Sequence, residues 1–163
     1  MIMVSGGVII LVSIVVISIS ISWYFTILYE PVLVYAKGGE PIQVGPVQYI
    51  IEHIGEHNGN KDTRPEHTFF QIRIIAENMG TETTRMVGGQ FYFIDENDEK
   101  HEAVFGKFSS EDLFGDSLYP NKPVSRTTQF DVPFDENAQY KIRISPTKPQ
   151  SSLDIGIVCV TNC

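Results

Sequence analysis

Residues 1–29 contain no Asp, Glu, Lys, Arg or His, so every formally charged side chain lies from Glu30 onward. Within that stretch, residues 8–29 are 22 in a row, of which 17 are apolar and the rest are Ser13, Ser18, Ser20, Ser22 and Thr26. A helix of this length reaches about 33 Å, enough to cross a hydrocarbon core of about 30 Å. The alternation Ile17-Ser18-Ile19-Ser20-Ile21-Ser22 has the period of a strand. In lipid, however, a lone strand leaves its backbone groups unpaired, whereas a helix satisfies them and lets each serine bond back to a carbonyl. Trp23, Tyr24 and Tyr29 cluster toward the far end, where amphipathic rings favour the membrane interface, and Pro31 stops the helix.

The expected organisation is therefore a transmembrane anchor over 1–29, a linker over 30–40 and one folded domain over 41–163. A cleaved signal peptide is the alternative, with Val34-Tyr35-Ala36 as the cleavage site. Against it stand the missing basic leader and an apolar run longer than the usual ~7–15 residues. No Lys or Arg precedes the span, and Lys37 is offset by Glu30 and Glu40, so charge leaves the orientation open.

The rest of the chain carries the whole formal charge of −8, from 12 Lys and Arg against 20 Asp and Glu. That balance argues against nucleic acid as a partner. After Pro41 short alternating segments are separated by turn residues, the pattern of an all-β domain. Strands are expected at 44–54, 68–77, 90–94, 101–105, 124–132, 139–144 and 153–160, about seven in all and enough for two packed sheets. In the clearest, Phe70, Ile72, Ile74 and Ala76 share one face while Gln71, Arg73 and Glu77 lie on the other. Asp95 to Glu99 form an acidic hairpin turn, and 106–122 read as an Ω-type loop.

Several segments resemble the telokin-like, immunoglobulin-like domain of unknown function found behind membrane or lipid anchors in bacterial and archaeal surface proteins. They are Val44 to Ile50, Phe70 to Glu82 with its strand-Asn-Met-Gly-Thr-Glu step, Phe93 to Ala103, and Tyr119 to Val124 followed by Gln129 to Pro133. Asn121 stands where that family usually has Gly, and Asn also tolerates the left-handed backbone. The resemblance implies an immunoglobulin-like β-sandwich, extracytoplasmic and single-pass anchored, that binds or scaffolds. It supplies no catalytic residues.

Four histidines, His53, His57, His67 and His101, with Glu52, Glu56 and Glu66 nearby, suit copper or zinc chemically. At strand spacing, however, His53 and His57 do not converge as they would on a helix. Asp95, Asn97 and Glu99 alternate like calcium ligands, but the sixth and twelfth positions are Lys100 and Gly106, where an EF-hand needs Gly and Glu. Cys159 and Cys163 could close a small disulfide loop. Parity places Cys159 with Leu153, Ile155 and Ile157 on the expected core face, so a bridge needs the chain to curl back after Val160.

The Ω-type loop holds Phe108, Leu113, Phe114, Leu118 and Tyr119. These either fold over one end of the sandwich or form a docking surface for another protein. No nucleophile elbow, phosphate loop or zinc-protease motif is present, so neither catalysis nor a cofactor is expected. The reading is a non-catalytic, membrane-anchored binding or scaffold protein. Its partners are the bilayer through residues 8–29 and other membrane proteins, as an accessory subunit. The alternatives are an extracytoplasmic copper, zinc or calcium binder, and a secreted β-domain.

Overall fold

A computed structural model describes residues 6–163, with side chains from residue 10 onward. The apolar run forms helix α1 (Gly6–Leu28), whose span Ile10–Leu28 is exposed throughout. Ser20 Oγ donates to the Val16 carbonyl at 2.9 Å and Thr26 Oγ1 to that of Ser22 at 3.0 Å. The period-two alternation is thus absorbed into a helix by hydroxyls that return to the preceding turn. Of the expected anchor, residues 1–5 lie outside the described residues.

The chain divides at Pro31 into the helical unit and a β-unit running from Val32 to Cys163. The latter holds β1 (Leu33–Lys37), β2 (Pro41–Val44), β3 (Val47–His57), β4 (Thr68–Asn78), β5 (Thr84–Met86) and β6 (Phe91–Ile94). β7 (Lys100–Glu102), β8 (Asp116–Leu118), β9 (Val124–Val132), β10 (Tyr140–Ile144) and β11 (Ile155–Thr161) complete it. One sheet is ordered β1-β11-β10-β6-β7, the other β2-β3-β4-β9, and β5 pairs with β8. The expected all-β, immunoglobulin-like sandwich behind an N-terminal apolar helix is the observed architecture. The described residues contain eleven strands where about seven were expected.

The first strand lies within the segment expected to be a linker. β1 pairs in parallel with β11, Leu33 opposite Ile155 and Lys37 opposite Cys159. Two glycines then move the chain from one sheet to the other. Gly38 N donates to the Cys159 carbonyl at 2.7 Å, continuing the first sheet, and Gly39 N donates to the Ile51 carbonyl at 2.9 Å, joining the second. Gly39 has φ +83°, a conformation side-chain-bearing residues rarely adopt. Sequence reasoning missed β1 because a single Pro-flanked, Gly-terminated pentapeptide reads as a connection. Its pairing partner lies more than a hundred residues away.

The core is aromatic and lies between the sheets. Phe70 meets Phe93 edge-on at 5.0 Å and Tyr140 at 6.0 Å, and Phe93 contacts Phe130 at 5.7 Å. Each fully buried ring contributes about 2–3 kcal/mol of burial. The expected alternation along β4 holds, and β10 shows the same pattern. Phe70, Ile72, Ile74, Ala76, Tyr140, Ile142 and Ile144 are buried, while Gln71, Arg73, Lys141 and Arg143 stay part-exposed. At Gly156 the two sheets approach closely, since a Cβ there would lie 2.8 Å from Val44 Cγ2.

Buried polar groups tie the irregular segments to this core. Asn78, wholly buried at the end of β4, donates through Nδ2 to the carbonyls of Glu82 and Leu118 at 2.7 and 2.9 Å. Its Oδ1 accepts from Gly80 N and its carbonyl from Asn121 N. Asn121 has φ 56°, which explains how Asn stands in for Gly there. At the centre, the Tyr49 hydroxyl accepts from Gln90 Nε2 and Gln150 Nε2, each at 2.9 Å. Burial pushes that hydroxyl up to about 12, with the bonds from Gln150 and Gln90 opposing the shift.

Replacing Asn78 removes partners from two carbonyls and one N–H in a dry site. Asn78→Ala is expected to lower unfolding free energy by about 2–4 kcal/mol. A urea titration reads this as a lower midpoint at unchanged slope.

Candidate functional site

Strand parity directs alternate side chains of the five-stranded sheet away from the core. Val34, Ala36, Gly156, Val158, Ile142 and Phe93 face inward. Outward stand Leu33, Tyr35 and Lys37 of β1, Ile155, Ile157 and Cys159 of β11, Lys141 and Arg143 of β10, and Tyr92 and Ile94 of β6. Register aligns them in rows: Tyr35, Ile157, Arg143, Tyr92 and Glu102 in one, and Lys37, Cys159, Lys141, Ile94 and Lys100 in the next. The members of these rows on β1, β11 and β10, with Ile94 of β6, line an open groove of about 620 Å³. Its floor is apolar at the β1–β11 side, where Tyr35 is 69% and Leu33 50% exposed.

The groove is lined by three basic side chains, Lys37, Lys141 and Arg143, and two acidic ones, Glu40 and Asp98. Lys37 Nζ donates to the Cys163 carbonyl at 3.2 Å, and Lys141 Nζ lies 3.7 Å from the Asp98 carboxylate, which is 83% exposed. Glu40 turns its carboxylate to accept from Lys37 N at 3.1 Å. Lys100 Nζ sits over the Tyr92 ring at 4.0 Å, a cation–π contact. Arg143 has no carboxylate partner among the described residues, and its Nε is buried without a hydrogen bond.

Cys159 lies in this groove and not in the core. It shares its face with Ile155 and Ile157 as expected, but that face is the outer one, because Gly156 and Val158 fill the inner positions. The structure joins Cys159 to Cys163, with Cα atoms 5.9 Å apart. The required curl is made at Asn162, which has φ 51° and donates through Nδ2 to the carbonyls of Glu136 and Ala138.

The four histidines have separate partners. His53 stacks on Phe70 at 4.0 Å, with Nε2 2.8 Å from Glu56 Oε1. His57 packs against Phe69 and Phe108, and its Nδ1 accepts from Gly59 N at 3.1 Å. His67 Nδ1 is 3.8 Å from Asp131 Oδ1, and His101 Nε2 is 3.0 Å from Asp95 Oδ2. A β-bulge between His53 and Gly55 shifts the strand's register, so His53 and His57 lie opposite Ile72 and Phe69 respectively.

Among the described residues, the group able to offer three ligand atoms close together is Asp95, Glu99 and His101, all within 4.8 Å. It joins the acidic turn to one of the four histidines across the β6–β7 hairpin. Burial alone would raise the Asp95 carboxyl. Hydrogen bonds from His101 and from the Glu99 and Asn97 N–H groups outweigh it and hold the carboxyl below its usual 3.8.

The Ω-type loop folds onto the sandwich. Leu113 and Leu118 are buried, so they do not form a docking surface, while Phe114 and Tyr119 remain exposed. Phe108 closes over the outward-facing Phe69 at 5.1 Å. Asp112, 7% exposed, accepts from the N–H groups of Phe108 and Ser109 at 2.7 and 3.0 Å. Backbone bonds between Leu113 and Thr127, and between Thr127 and Glu111, lay the loop along the free edge of β9 and cover it.

The all-β sandwich carries a groove with an apolar floor on the outer face of its five-stranded sheet. The chain belongs to the family described as Domain of unknown function (DUF4352), whose model matches residues 36–152. Among solved structures it is similar to the yjhA protein of Bacillus subtilis, at 19% identity and a TM-score of 0.59, over 77% of this chain and 98% of that one. It is also similar to the ycdA protein of Bacillus subtilis, a candidate lipoprotein, at 16% identity and TM-score 0.59, over 77% of this chain and 39% of that one. The secreted protein MPT63 of Mycobacterium tuberculosis matches at 8% identity and TM-score 0.55, over 77% and 96%. No curated protein matches the chain.

Burial lowers the His57 imidazole from its ordinary 6.5, against an opposing pull from the Asp112 charge. The unfolded chain therefore binds this proton more readily than the folded one. The stability His57 contributes is complete above pH 6.5 and is lost as pH falls through its depressed folded value. The stability difference between the parent and His57→Gln is expected to shrink between neutral and mildly acidic pH, read from urea midpoints across the range.

Proposed function

We propose that this chain is a non-catalytic, single-pass membrane-anchored protein whose extracytoplasmic, telokin-like sandwich binds or scaffolds as an accessory subunit. The observation that carries the reading is the pairing of a wholly exposed apolar helix with a β-unit that has its own closed core and one uncovered binding face. A span long enough for a bilayer, with Trp23, Tyr24 and Tyr29 near its end, supports anchoring. The likeness to a candidate lipoprotein and to a secreted protein supports an extracytoplasmic site for the sandwich. The disulfide fits the same compartment. Hydroxyl-bearing residues along the helix allow close approach of neighbouring helices.

Purification of the full-length protein from its native membrane in mild detergent tests this reading. The expected result is an intact N-terminus and stoichiometric membrane proteins identified by mass spectrometry. A free chain beginning near Lys37 would overturn it, since cleavage there removes most of β1.

A second reading is favoured by Asp95, Glu99 and His101, whose two carboxylates and imidazole suit zinc or manganese. Calorimetric titration of the full-length protein with each metal ion is expected to saturate at one ion per chain. Both His101→Ala and Asp95→Asn are expected to weaken that binding at least tenfold. Unsaturable heat, or binding indifferent to both substitutions, would sink the metal reading.

A further inference from the structure

We infer that the groove on the outer face of the five-stranded sheet is a seat for anionic lipid headgroups of the membrane that holds the helix. The inference rests on the anchored reading proposed above. Three observations converge on it. First, the chain is acidic, at −8, yet four of its 12 Lys and Arg gather on this one face: Lys37, Lys100, Lys141 and Arg143. Three carboxylates, Glu40, Asp98 and Glu102, share the face, so its excess is one positive charge. Asp98 is an exposed partner 3.7 Å from Lys141, Glu40 is engaged by a backbone N–H, and Arg143 has no carboxylate partner among the described residues. A planar guanidinium with unused donors is suited to the oxygens of a phosphate, which it can bind in bidentate fashion.

Second, the groove is amphipathic in the order an interface requires. The basic heads stand on β10 and at the Lys37 end of β1, while Leu33, Tyr35, Ile155 and Ile157 make an exposed apolar strip beside them. Val32, 58% exposed, extends that strip toward the helix. A free anion in water would not select the apolar strip, and a purely apolar partner would leave the guanidinium without a counter-charge. A phospholipid surface offers both components.

Third, covalent connection restricts the search. Residues 29–32 are all that separate α1 from β1, so Leu33 starts no more than about 17 Å of extended chain from Leu28, whatever the angle between the two units. One strand that lines the groove is therefore the one joined directly to the helix by the chain. A tether this short makes the headgroup encounter intramolecular and raises its effective concentration.

The test is hydrogen–deuterium exchange of the full-length protein in nanodiscs of phosphatidylcholine alone or of phosphatidylcholine with phosphatidylglycerol. The expected result is slower exchange over 33–37 and 155–159 on the anionic discs alone. Each basic side chain removed, in Lys141→Gln and in Arg143→Gln, is expected to weaken the protected state roughly fivefold, and high salt should reverse it. Both residues face solvent, and unchanged urea midpoints would confirm that the variants fold.

Equal exchange on the two lipid compositions would overturn the proposal. So would protection that tracks the number of chains per disc and not lipid charge, which would mean a second copy covers the groove. If the chain fails to enter the discs, the anchored reading fails by itself. Co-sedimentation of that soluble chain with the same two lipid mixtures as vesicles then decides the groove separately, with no preference for the anionic vesicles counting against it.

Discussion

The interleaving of Phe70 and Phe130 from one sheet with Phe93 and Tyr140 from the other is the contact on which the rest of the molecule depends. Those rings share the inner faces with Ile72, Ile74, Ile142 and Ile144, so alternate residues on β4, β6 and β10 face outward. The outer faces are then free to differ. On the four-stranded sheet, the loop residue Phe108 closes over Phe69, and residues 104–113 run along the β9 edge. On the five-stranded sheet nothing among the described residues covers the equivalent strip, and it remains a groove with an apolar floor and a basic flank.

The irregular segments are held by polar anchors, not by extra core. Asn78 is satisfied by backbone groups that include the distant Leu118 carbonyl, the Tyr49 hydroxyl by glutamine side chains from two distant segments, and Asp112 by N–H groups of its own loop. Such sites are costly if half-made, so they select one arrangement of loops over its neighbours. This gives a physical reason for the strand-Asn-Met-Gly-Thr-Glu step: Asn78 leaves β4 at the point where three other segments must be fastened to it. A two-residue switch at Gly38 and Gly39 does comparable work at the N-terminal side, placing β1 in one sheet and β2 in the other.

Period-two patterns in β4 and β10 were legible because each strand buries one face, and the strand bounds expected for β9 match those observed. Short strands were not. β1, β2, β5 and β8 have three to five residues, too few to show a period, and exist because a distant strand offers a partner. Parity along β11 was legible and its polarity was not. Ile155, Ile157 and Cys159 outweigh Gly156 and Val158 in hydrophobicity, yet the smaller set faces the core because Val44 and Ile42 leave no room for a side chain at 156. Of the expected interaction residues, Phe114 and Tyr119 are exposed and Leu113 and Leu118 are buried.

By itself, the sequence determined the division between an uncharged apolar helix and an acidic β-domain, since both follow from local composition and period. It also located the acidic turn that supplies Asp95 and Glu99. Only the tertiary structure decided which histidine joins that turn, because His101 arrives through hairpin register while His53, His57 and His67 are taken by Phe70, Phe69 and Asp131. It likewise decided that Lys37 shares one face with Lys141 and Arg143, over a hundred residues away in the chain. Pairing between strands distant in sequence depends on the closure of the whole sandwich, and no window of local pattern contains it.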